Sequence, residues 1–337
     1  MIRCFNNISL LSRNSFKVDV KAQTLVEFES TDDLYQIFSQ TPPTEWYVLS
    51  GGNNILFTDD FNGTLLSPVS QGINIINNGD QFITLRVDAG VEWDDLVAWC
   101  VERNLWGIEN LSLIPGRAGA APIQNIGAYG VEASDVIESV EIFDVTRLEV
   151  YEISVHECKF AYRESIFKHE LKGKVIITSI KIKLSKHASP RLGYADVSSR
   201  VEALGGVNLP NIRKAICEIR SSKLPDPEVT GNAGSFFKNP VVSSKKREEL
   251  LHKYPSMPHY PIEGDSSSFK LAAGWLIDQS GLKGYTQGRV GIHSAQALVV
   301  INLGGATGAE IVEFAQMVQK VVNDKFGVEI SMEVNLL

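Results

Sequence analysis

The chain has 337 residues, of which 44% are hydrophobic, and it carries a formal net charge of -8 with a pI near 5.4. A chain of this length exceeds what one hydrophobic core usually organises, so two or three domains are expected. The acidic balance excludes a broad nucleic-acid-binding face, and no segment approaches the ~20 apolar residues of a membrane helix.

The cysteines indicate a reducing compartment. Cys4, Cys100, Cys158 and Cys217 lie far apart and form no C-x-x-C pair, which disfavours both a zinc site and a disulfide scaffold. Polar residues interrupt the apolar N-terminal stretch, so a signal peptide is not expected. We therefore expect a cytoplasmic protein with reduced thiols, no metal, and no membrane or nucleic-acid partner.

A glycine turn at residues 50–54 is the first candidate site. Residues 30–39 predict a short helix, and residues 46–49 and 55–57 predict strands on either side of Ser50-Gly-Gly-Asn-Asn54. Backbone N–H groups left free in such a turn can hold an anion. The alternative is an ordinary hairpin, which the turn considered alone favours.

The following residues predict several strands and one helix. Residues 82–89 alternate apolar and polar positions, and residues 138–145, 148–153 and 175–184 predict further strands. The helix predicted over residues 92–104 has one apolar face, formed by Trp93, Leu96, Val97, Cys100 and Val101. These are core positions and imply no chemistry.

Residues 113–130 are the most unusual stretch of the chain. Glycines, alanines and two prolines leave little side chain, and Arg117 is its one charged residue. Such a segment forms neither a good helix nor a central strand. It is either a packed crossing of backbones or a loop wrapped around a large flat ligand. The composition favours the ligand, because a loop this long is uncommon without a function.

Residues 160–167 place Tyr162 and Arg163 in an apolar context. An arginine at such an edge is often the partner of a structural ion pair, here with Glu164 or Asp144. It can equally be a cation that serves a site. The residues leave both interpretations open.

The second half predicts a boundary and then alternating helices and strands. Residues 189–210 are rich in Gly, Pro, Ser and Asn around Tyr194, which predicts a mobile excursion. Thr307 and Glu310 form a capping box for the last helix. Helices are predicted over residues 212–223, 243–254, 271–281 and 307–327, and strands over residues 297–303 and 328–336.

The loop at residues 231–240, Gly231-Asn-Ala-Gly-Ser-Phe-Phe-Lys-Asn-Pro240, has the profile of a site. Glycine lets a ligand approach the backbone, Ser235 can give or take a proton, and Lys238 and Asn239 suit an anionic partner. The two phenylalanines require burial, which would fix the loop.

Missing motifs exclude several common sites. The chain has no G-x-G-x-x-G after a strand, no G-x-x-x-x-G-K-[ST], no H-E-x-x-H and no G-x-S-x-G elbow. The remaining pattern is two glycine-rich loops in the first half and one polar loop in the second.

In their order along the chain, these motifs resemble the UDP-N-acetylenolpyruvoylglucosamine reductase family, flavoenzymes that make UDP-N-acetylmuramate for peptidoglycan. The resemblance runs from about Ser15 to the C-terminus, and the region around Tyr194 resembles the subclass that closes a tyrosine-bearing loop over the substrate. The motifs are Ser50-Gly-Gly-Asn-Asn-Ile-Leu-Phe57, Ile114-Pro-Gly116 through Gly127-Ala-Tyr-Gly130, Phe160-Ala-Tyr-Arg163, Lys223-Leu-Pro-Asp-Pro227, the 231–240 loop and Glu333-Val334.

The resemblance implies an α+β protein with a vanillyl-alcohol-oxidase/PCMH-type FAD-binding fold of two subdomains and a C-terminal α+β substrate domain. The expected boundaries are residues 1–70 and 71–188 for the two FAD-binding subdomains, 189–210 for the tyrosine-bearing excursion and 211–337 for the substrate-binding domain. The expected cofactor is FAD, with NADPH as reductant. The expected substrate is UDP-N-acetylenolpyruvoylglucosamine, and we expect a monomer.

The resemblance also implies a reaction. NADPH reduces the flavin and leaves, and the enolpyruvyl substrate then takes a hydride from flavin N5 at C3 and a proton from Ser235 at C2. Arg163 and Glu333 stabilise the enolate-like carboxylate, a task that suits a fixed cation. Glu333 can help only if it is protonated or bridged through a hydrogen bond.

Further site residues follow from the matching positions. Lys238 is expected only to neutralise its loop, and Tyr162 either packs on the substrate or fills the core. The FAD-binding positions are Gly51, Gly52, Asn53, Asn54, Ile114, Pro115, Gly116, Gly119, Ala120, Gln124, Asn125, Gly127, Ala128, Tyr129, Ile177 and Arg220. The substrate-binding positions are Tyr162, Tyr194, Lys223, Asn239 and Gln296.

Three positions depart from the family pattern, and two other functions remain as alternatives. Asn335 stands where relatives often carry arginine, which puts flavin affinity in doubt, and Asn53 and Arg117 stand where small residues are common. The alternatives are another FAD-dependent oxidoreductase of the same fold and a non-catalytic nucleotide-sugar-binding protein.

Overall fold

The computed structural model describes residues 1–40, 42–262 and 264–337. Over these residues the α-helices are α1 (Thr31–Gln40), α2 (Trp93–Glu102), α3 (Ala195–Ala203), α4 (Leu209–Lys223), α5 (Ser244–Lys253), α6 (Ala273–Gln279) and α7 (Gly308–Phe326). None of these described helices is both long and apolar enough to cross a membrane.

The strands belong to several small sheets. They are β1 (Arg3–Ser9), β2 (Lys21–Phe28), β3 (Trp46–Val48), β4 (Ile55–Leu56), β5 (Phe61–Pro68), β6 (Ile73–Asn78), β7 (Phe82–Asp88), β8 (Gly127–Ala128), β9 (Val131–Glu132), β10 (Ile137–Asp144), β11 (Glu149–Ser154), β12 (Val175–Ser185), β13 (Val241–Ser243), β14 (His259–Ile262), β15 (Asp265–Leu271), β16 (Thr286–Gln287), β17 (Val290–Ile292), β18 (Val300–Asn302) and β19 (Asn335–Leu336).

The chain forms two compact units. Unit 1 comprises Met1–Ile8, Ala22–Gly51 and Asn62–Arg220, and unit 2 comprises Ser9–Lys21, Gly52–Phe61 and Ser221–Leu337. The domain boundaries expected from the sequence stay predictions.

Unit 1 is built on two sheets. One has the strand order β1-β2-β5-β3, and the other has the antiparallel order β11-β10-β12-β7-β6. Helix α2 covers the larger sheet with the apolar face that the sequence predicts, and Trp93 and Leu96 on that face are almost fully buried. The 3.6-residue period aligns these side chains on one stripe, so their burial stabilises helix and sheet together.

The predicted excursion at residues 189–210 contains a helix. In α3, Val197 and Val201 are fully buried and join the same core as α2, and α4 follows with Ile212 and Ile216 also buried. Helix α3 escapes prediction from the sequence because the surrounding residues are rich in Gly and Ser and only Val197 and Val201 form its buried apolar positions.

Unit 2 is built around α7. The capping box is confirmed, because the Thr307 side chain accepts from the Glu310 amide and the Glu310 carboxylate accepts from the Thr307 amide. Gly327 ends the helix in the left-handed conformation, with φ of 60°. Phe326 packs edge-on to Tyr254 of the α5 C-cap, with ring centroids 5.1 Å apart. The sheets of this unit have the orders β13-β15-β14, β16-β17-β18 and β19-β4.

Three secondary-structure predictions are wrong. The strands around the 50–54 turn are no hairpin: β3 pairs in parallel with β5, and β4 pairs in parallel with β19. Leu271 ends strand β15 and does not belong to helix α6. The terminal strand is shorter than predicted. Burial alternates from Val328 to Val334, but the regular ladder covers Asn335–Leu336.

Candidate active site

The 50–54 turn packs against the backbone of residues 13–15. Gly52 adopts φ of +68°, and its carbonyl oxygen accepts from the Ser15 amide at 3.0 Å. A Cβ on Gly52 would lie 2.1 Å from the Arg13 carbonyl oxygen. This contact requires glycine whether or not a ligand binds.

Several hydrogen-bonding groups of the turn have no partner among the described residues. The Ser50 Oγ is buried and meets no partner in the described part of the chain. Likewise, the amides of Gly51, Gly52 and Asn53 donate to no described residue. Successive free amides around a left-handed residue form a concavity that suits a phosphate. The turn therefore fits the diphosphate of a dinucleotide cofactor such as FAD.

Asn335 supports the last residue of this turn. Its backbone amide and its Nδ2 both donate to the Asn54 carbonyl oxygen, at 3.1 and 3.0 Å. The side chain of Asn335 therefore has a structural role in supporting the turn.

Part of the 113–130 loop is a packed crossing of backbones. The Gly119 amide donates to the Ala89 carbonyl oxygen at 3.0 Å, and a Cβ on Gly119 would lie 2.6 Å from the Ala89 Cβ. Around this crossing the loop is half-exposed at Ile114, Gly116 and Gln124. The crossing accounts for Gly119, and the binding of a flat ligand by the rest of the loop stays a prediction.

Two charged helix residues, Asp94 and Arg220, contact the start of this loop at Leu113. The Asp94 carboxylate on α2 accepts from the Leu113 amide at 2.5 Å and from both terminal nitrogens of Arg213, at 2.6 and 2.8 Å. Burial raises the pKa of Asp94, but the bonds from Arg213 and Leu113 hold that pKa below its usual value. Arg220 donates from Nε to the Leu113 carbonyl oxygen at 3.2 Å, and burial lowers its own pKa.

Arg117 likewise has a structural position. Its Nε lies 2.9 Å from Glu92 Oε1, and its Nη1 donates to Ser67 Oγ at 3.1 Å and to the Pro68 carbonyl oxygen at 2.8 Å. Arg117 therefore contributes to the packing of unit 1.

The Asn125 side chain is also used within the protein. Its Nδ2 donates to Glu132 at 2.6 Å, and its Oδ1 accepts from the Ser134 amide at 2.9 Å. These bonds fix the middle of the 113–130 loop.

Arg163 lies against the same loop. Its Nη2 donates to the Gly127 carbonyl oxygen at 3.0 Å and its Nη1 to the Asn125 carbonyl oxygen at 3.4 Å. Asp144, one of the two ion-pair partners considered for Arg163, accepts from Thr146 and from the Arg147 amide.

The predicted tyrosines surround this part of unit 1. Tyr194 is exposed, and its ring packs edge-on to Tyr129 with centroids 6.0 Å apart. Tyr162 is exposed, so it does not fill the core, and the Arg163 Cζ lies 5.6 Å from the Tyr162 ring centroid.

Ile177, another position predicted to bind FAD, is a buried core residue of β12.

In unit 2 the 231–240 loop pairs with the terminal segment. The Glu333 amide donates to the Phe236 carbonyl oxygen at 2.7 Å, and the Lys238 amide donates to the Ser331 carbonyl oxygen at 2.9 Å. Phe236 and Phe237 are almost fully buried, as predicted. Ser235 is exposed and directly precedes these anchors, so Ser235 and Glu333 belong to adjoining segments.

Of the other predicted residues of unit 2, Asn239 and Gln296 lie near α6, and Lys223 lies at the protein surface. Asn239 Oδ1 accepts from the Ala273 amide at 3.0 Å, which ties the loop to the start of α6. Gln296 Oε1 accepts from the Leu298 amide at 3.4 Å and lies beside Gly274 of α6. Lys223 is exposed at the end of α4.

Comparison with known proteins gives the family. Residues 226–337 match the family described as UDP-N-acetylenolpyruvoylglucosamine reductase, C-terminal domain, and residues 22–149 match an FAD binding domain. The UDP-N-acetylenolpyruvoylglucosamine reductase of Bacteroides fragilis is 44% identical over 331 residues, covering 98% of each chain. That of Photobacterium profundum is 43% identical over 340 residues, covering 100% of this chain and 96% of the relative.

This chain belongs to the UDP-N-acetylenolpyruvoylglucosamine reductase family.

Solved structures confirm the expected fold of this reductase-family member. The crystal structure of UDP-N-acetylenolpyruvylglucosamine reductase from Thermus caldophilus superposes with a TM-score of 0.69 at 22% identity, covering 100% of this chain and 98% of the other. A nicotine oxidase from Arthrobacter nicotinovorans superposes with a TM-score of 0.55 at 13% identity, covering 97% and 86%. The α+β, vanillyl-alcohol-oxidase-type FAD-binding fold is therefore confirmed.

Several residues of the site escaped the sequence analysis. Asp94 holds the Leu113 amide, Arg213 holds the Asp94 carboxylate, and Lys168 contacts Arg163. Nothing in the spacing of these three residues distinguishes them from surface charges. In the described part of the chain, no three His, Cys, Asp or Glu side chains group as metal ligands, and the four cysteines are free thiols.

Proposed function

We propose that this protein catalyses the NADPH-dependent reduction of UDP-N-acetylenolpyruvoylglucosamine to UDP-N-acetylmuramate, a precursor of peptidoglycan. FAD, when bound, accepts a hydride from NADPH and delivers it to C3 of the enolpyruvyl group. Family membership over the whole chain supports this reaction. The observation that carries it is the backbone pairing of the 231–240 loop with the segment that bears Glu333.

In this proposal Ser235 supplies the proton at C2. Phe236 and Phe237 anchor the backbone that follows the serine, while a Cβ on the preceding Gly234 would meet no described atom within 4 Å. An exposed hydroxyl beside open space and a fixed backbone suits proton delivery, because the group needs a defined position and can be reprotonated from solvent.

Arg163 and Glu333 act on the substrate carboxylate. Two terminal nitrogens of Arg163 donate to carbonyl oxygens of the 113–130 loop, which fixes the plane of the guanidinium. A fixed cation stabilises the negative charge that grows on the carboxylate in the transition state without reorganising at that moment. Glu333 contributes as a hydrogen-bond partner of the same enolate-like group.

The two glycine loops would hold FAD. The free amides of Gly51, Gly52 and Asn53 and the buried Ser50 Oγ fit phosphate oxygens, and the half-exposed parts of the 113–130 loop fit the flat ring system. Tyr162, Tyr194, Lys223, Asn239 and Gln296 would contact the substrate, with Tyr194 closing over it as in the tyrosine-loop subclass.

The direct test is the colour cycle of the purified protein under anaerobic conditions. We expect a yellow protein that bleaches with NADPH and recovers its colour on addition of UDP-N-acetylenolpyruvoylglucosamine, with UDP-N-acetylmuramate as product. A flavin that bleaches but does not recover with this substrate would indicate another oxidoreductase. A colourless, redox-inert protein would indicate nucleotide-sugar binding without catalysis.

A further inference from the structure

Arg163 lies in a tight turn that is unfavourable for arginine. Residues 161–164 close the turn through two hydrogen bonds, from the Ala161 amide to the Glu164 carbonyl oxygen at 3.1 Å and from the Glu164 amide to the Ala161 carbonyl oxygen at 3.0 Å. Arg163 is the third residue of this turn and has φ of +58°. That conformation normally belongs to glycine or asparagine, so contacts around the turn must stabilise it.

Lys168 makes such a contact. Its Nζ donates to the Arg163 carbonyl oxygen at 2.9 Å, and its side chain is 19% exposed. The Glu164 carboxylate lies 3.7 Å from the same Nζ through one oxygen and 2.7 Å from His169 Nε2 through the other. Lys168 is thus held between the carbonyl group of the strained residue and the carboxylate of the next one.

The following residue ties the turn to the candidate flavin loop. Ser165 Oγ donates to the Ile123 carbonyl oxygen at 2.6 Å, within the 113–130 loop. Ser165 thus ties the chain after the turn to the 113–130 loop. The peptide group between Arg163 and Glu164 is held at its N–H by the Ala161 carbonyl oxygen and at its carbonyl oxygen by Lys168.

We propose that Lys168 is a positioning residue for Arg163, acting on the substrate through the arginine alone. Its ammonium stabilises the left-handed turn by bonding the Arg163 carbonyl oxygen. A relaxed turn would rotate the Cα–Cβ bond and carry the guanidinium away from the Gly127 carbonyl oxygen. This inference rests on the proposed function, in which Arg163 binds the substrate carboxylate.

The experiment compares Lys168→Met with wild type in the two half-reactions and in substrate binding. We expect the KM and the dissociation constant for UDP-N-acetylenolpyruvoylglucosamine to rise about tenfold, as for loss of one well-placed charged hydrogen bond. Flavin reduction by NADPH should stay unchanged, and Lys168→Arg should recover part of the affinity. Equal losses in both half-reactions, or no loss in either, would overturn the proposal.

Lys159 offers the matched control. It lies in the same segment and pairs with Glu170 at 2.8 Å, but both side chains are more than half exposed. Lys159→Met makes the same change of charge and should leave the KM unchanged. If Lys159→Met and Lys168→Met raise the KM equally, a general loss of positive charge is the cause and the inference fails.

A double-mutant cycle separates positioning from direct contact with substrate. On the background of Arg163→Ala, Lys168→Met should add no further loss of substrate affinity, because both variants remove the same interaction. Additive losses would contradict the inference. A wild-type flavin that does not recover its colour with the enolpyruvyl substrate would instead contradict the proposed function, so the two failures are distinguishable.

Discussion

Asn335 bonds the carbonyl oxygen of Asn54 twice, through its backbone amide and its side-chain amide. The 50–54 turn is thereby held to the end of the chain by two donors, while its own amides at Gly51, Gly52 and Asn53 stay available to a ligand. The asparagine therefore gives the turn direct support from the segment that follows Glu333.

Asn335→Ala should weaken FAD binding. The variant removes the side-chain bond and keeps the backbone bond, so the loss is about 1 kcal/mol, or about fivefold in the dissociation constant of FAD. Asn335→Asp should be worse, because a carboxylate of the same size cannot donate and repels the carbonyl oxygen. Flavin fluorescence titration of the apoprotein measures both. Asn323→Ala, at an exposed position of α7, is the control. An equal loss of FAD affinity in that variant would contradict the role of the Asn335 side chain.

Gly52→Ala should destabilise the protein more than Gly234→Ala. Both glycines have φ of +68°, so an added Cβ costs the same backbone strain of about 1–2 kcal/mol at either position. Gly52 alone would place that Cβ against the Arg13 carbonyl oxygen, while Gly234 faces open space among the described atoms. We expect the Gly52 variant to lose about a further 1–3 kcal/mol from overpacking. Urea unfolding measures the difference, and equal losses would show that the backbone contact is unimportant.

Glu310 predicts a pH dependence of the stability of α7. Bonds from the Thr307 backbone, Arg289 and the Thr307 side chain lower the pKa of Glu310 to about 2. The unfolded value is about 4.3, so the contribution is complete above that pH and is lost as the pH falls toward about 2.

The measurement compares urea midpoints of wild type and Glu310→Gln. Their difference should be present at pH 7 and shrink as the pH falls through the interval below about 4.3. Glu313→Gln, at an exposed position of the same helix, makes the same change of charge and is the control, and an equal trend there would show a general effect of charge. A difference between wild type and Glu310→Gln that stays constant with pH would refute the assignment.

The sequence predicts those elements whose side chains repeat with a regular period. Helix α2 and helix α7 each bury one apolar stripe, and Thr307 and Glu310 mark the start of α7 through local chemistry alone. Strand β15 escapes prediction because its sequence, Asp-Ser-Ser-Ser-Phe-Lys-Leu, has no alternation. Its partner β13 is distant in the chain, and its partner β14 is a four-residue strand that contains a proline. Register between distant strands depends on tertiary contacts that a local pattern does not contain.

In the candidate site, likewise, some residues are predictable from the sequence and others are not. Residues 50–54, 113–130 and 231–240 stand out by composition, because close approach of backbone requires small residues. The residues that support these loops cannot be recognised from composition. Asp94 and Lys168 act through contacts with backbone groups that lie close in the fold, and Arg213 acts through the Asp94 carboxylate. Charged residues of this kind are ordinary on any helix or loop.

The most direct test of the central claim is the effect of Ser235→Ala on the two half-reactions, followed by anaerobic stopped flow. Reduction of the flavin by NADPH should proceed nearly as in wild type. Reoxidation by UDP-N-acetylenolpyruvoylglucosamine should slow by about 10²-fold or more, because loss of a positioned proton donor typically costs 10²–10⁴-fold. An equal loss in both half-reactions, or an unchanged rate of reoxidation, would contradict the role of Ser235.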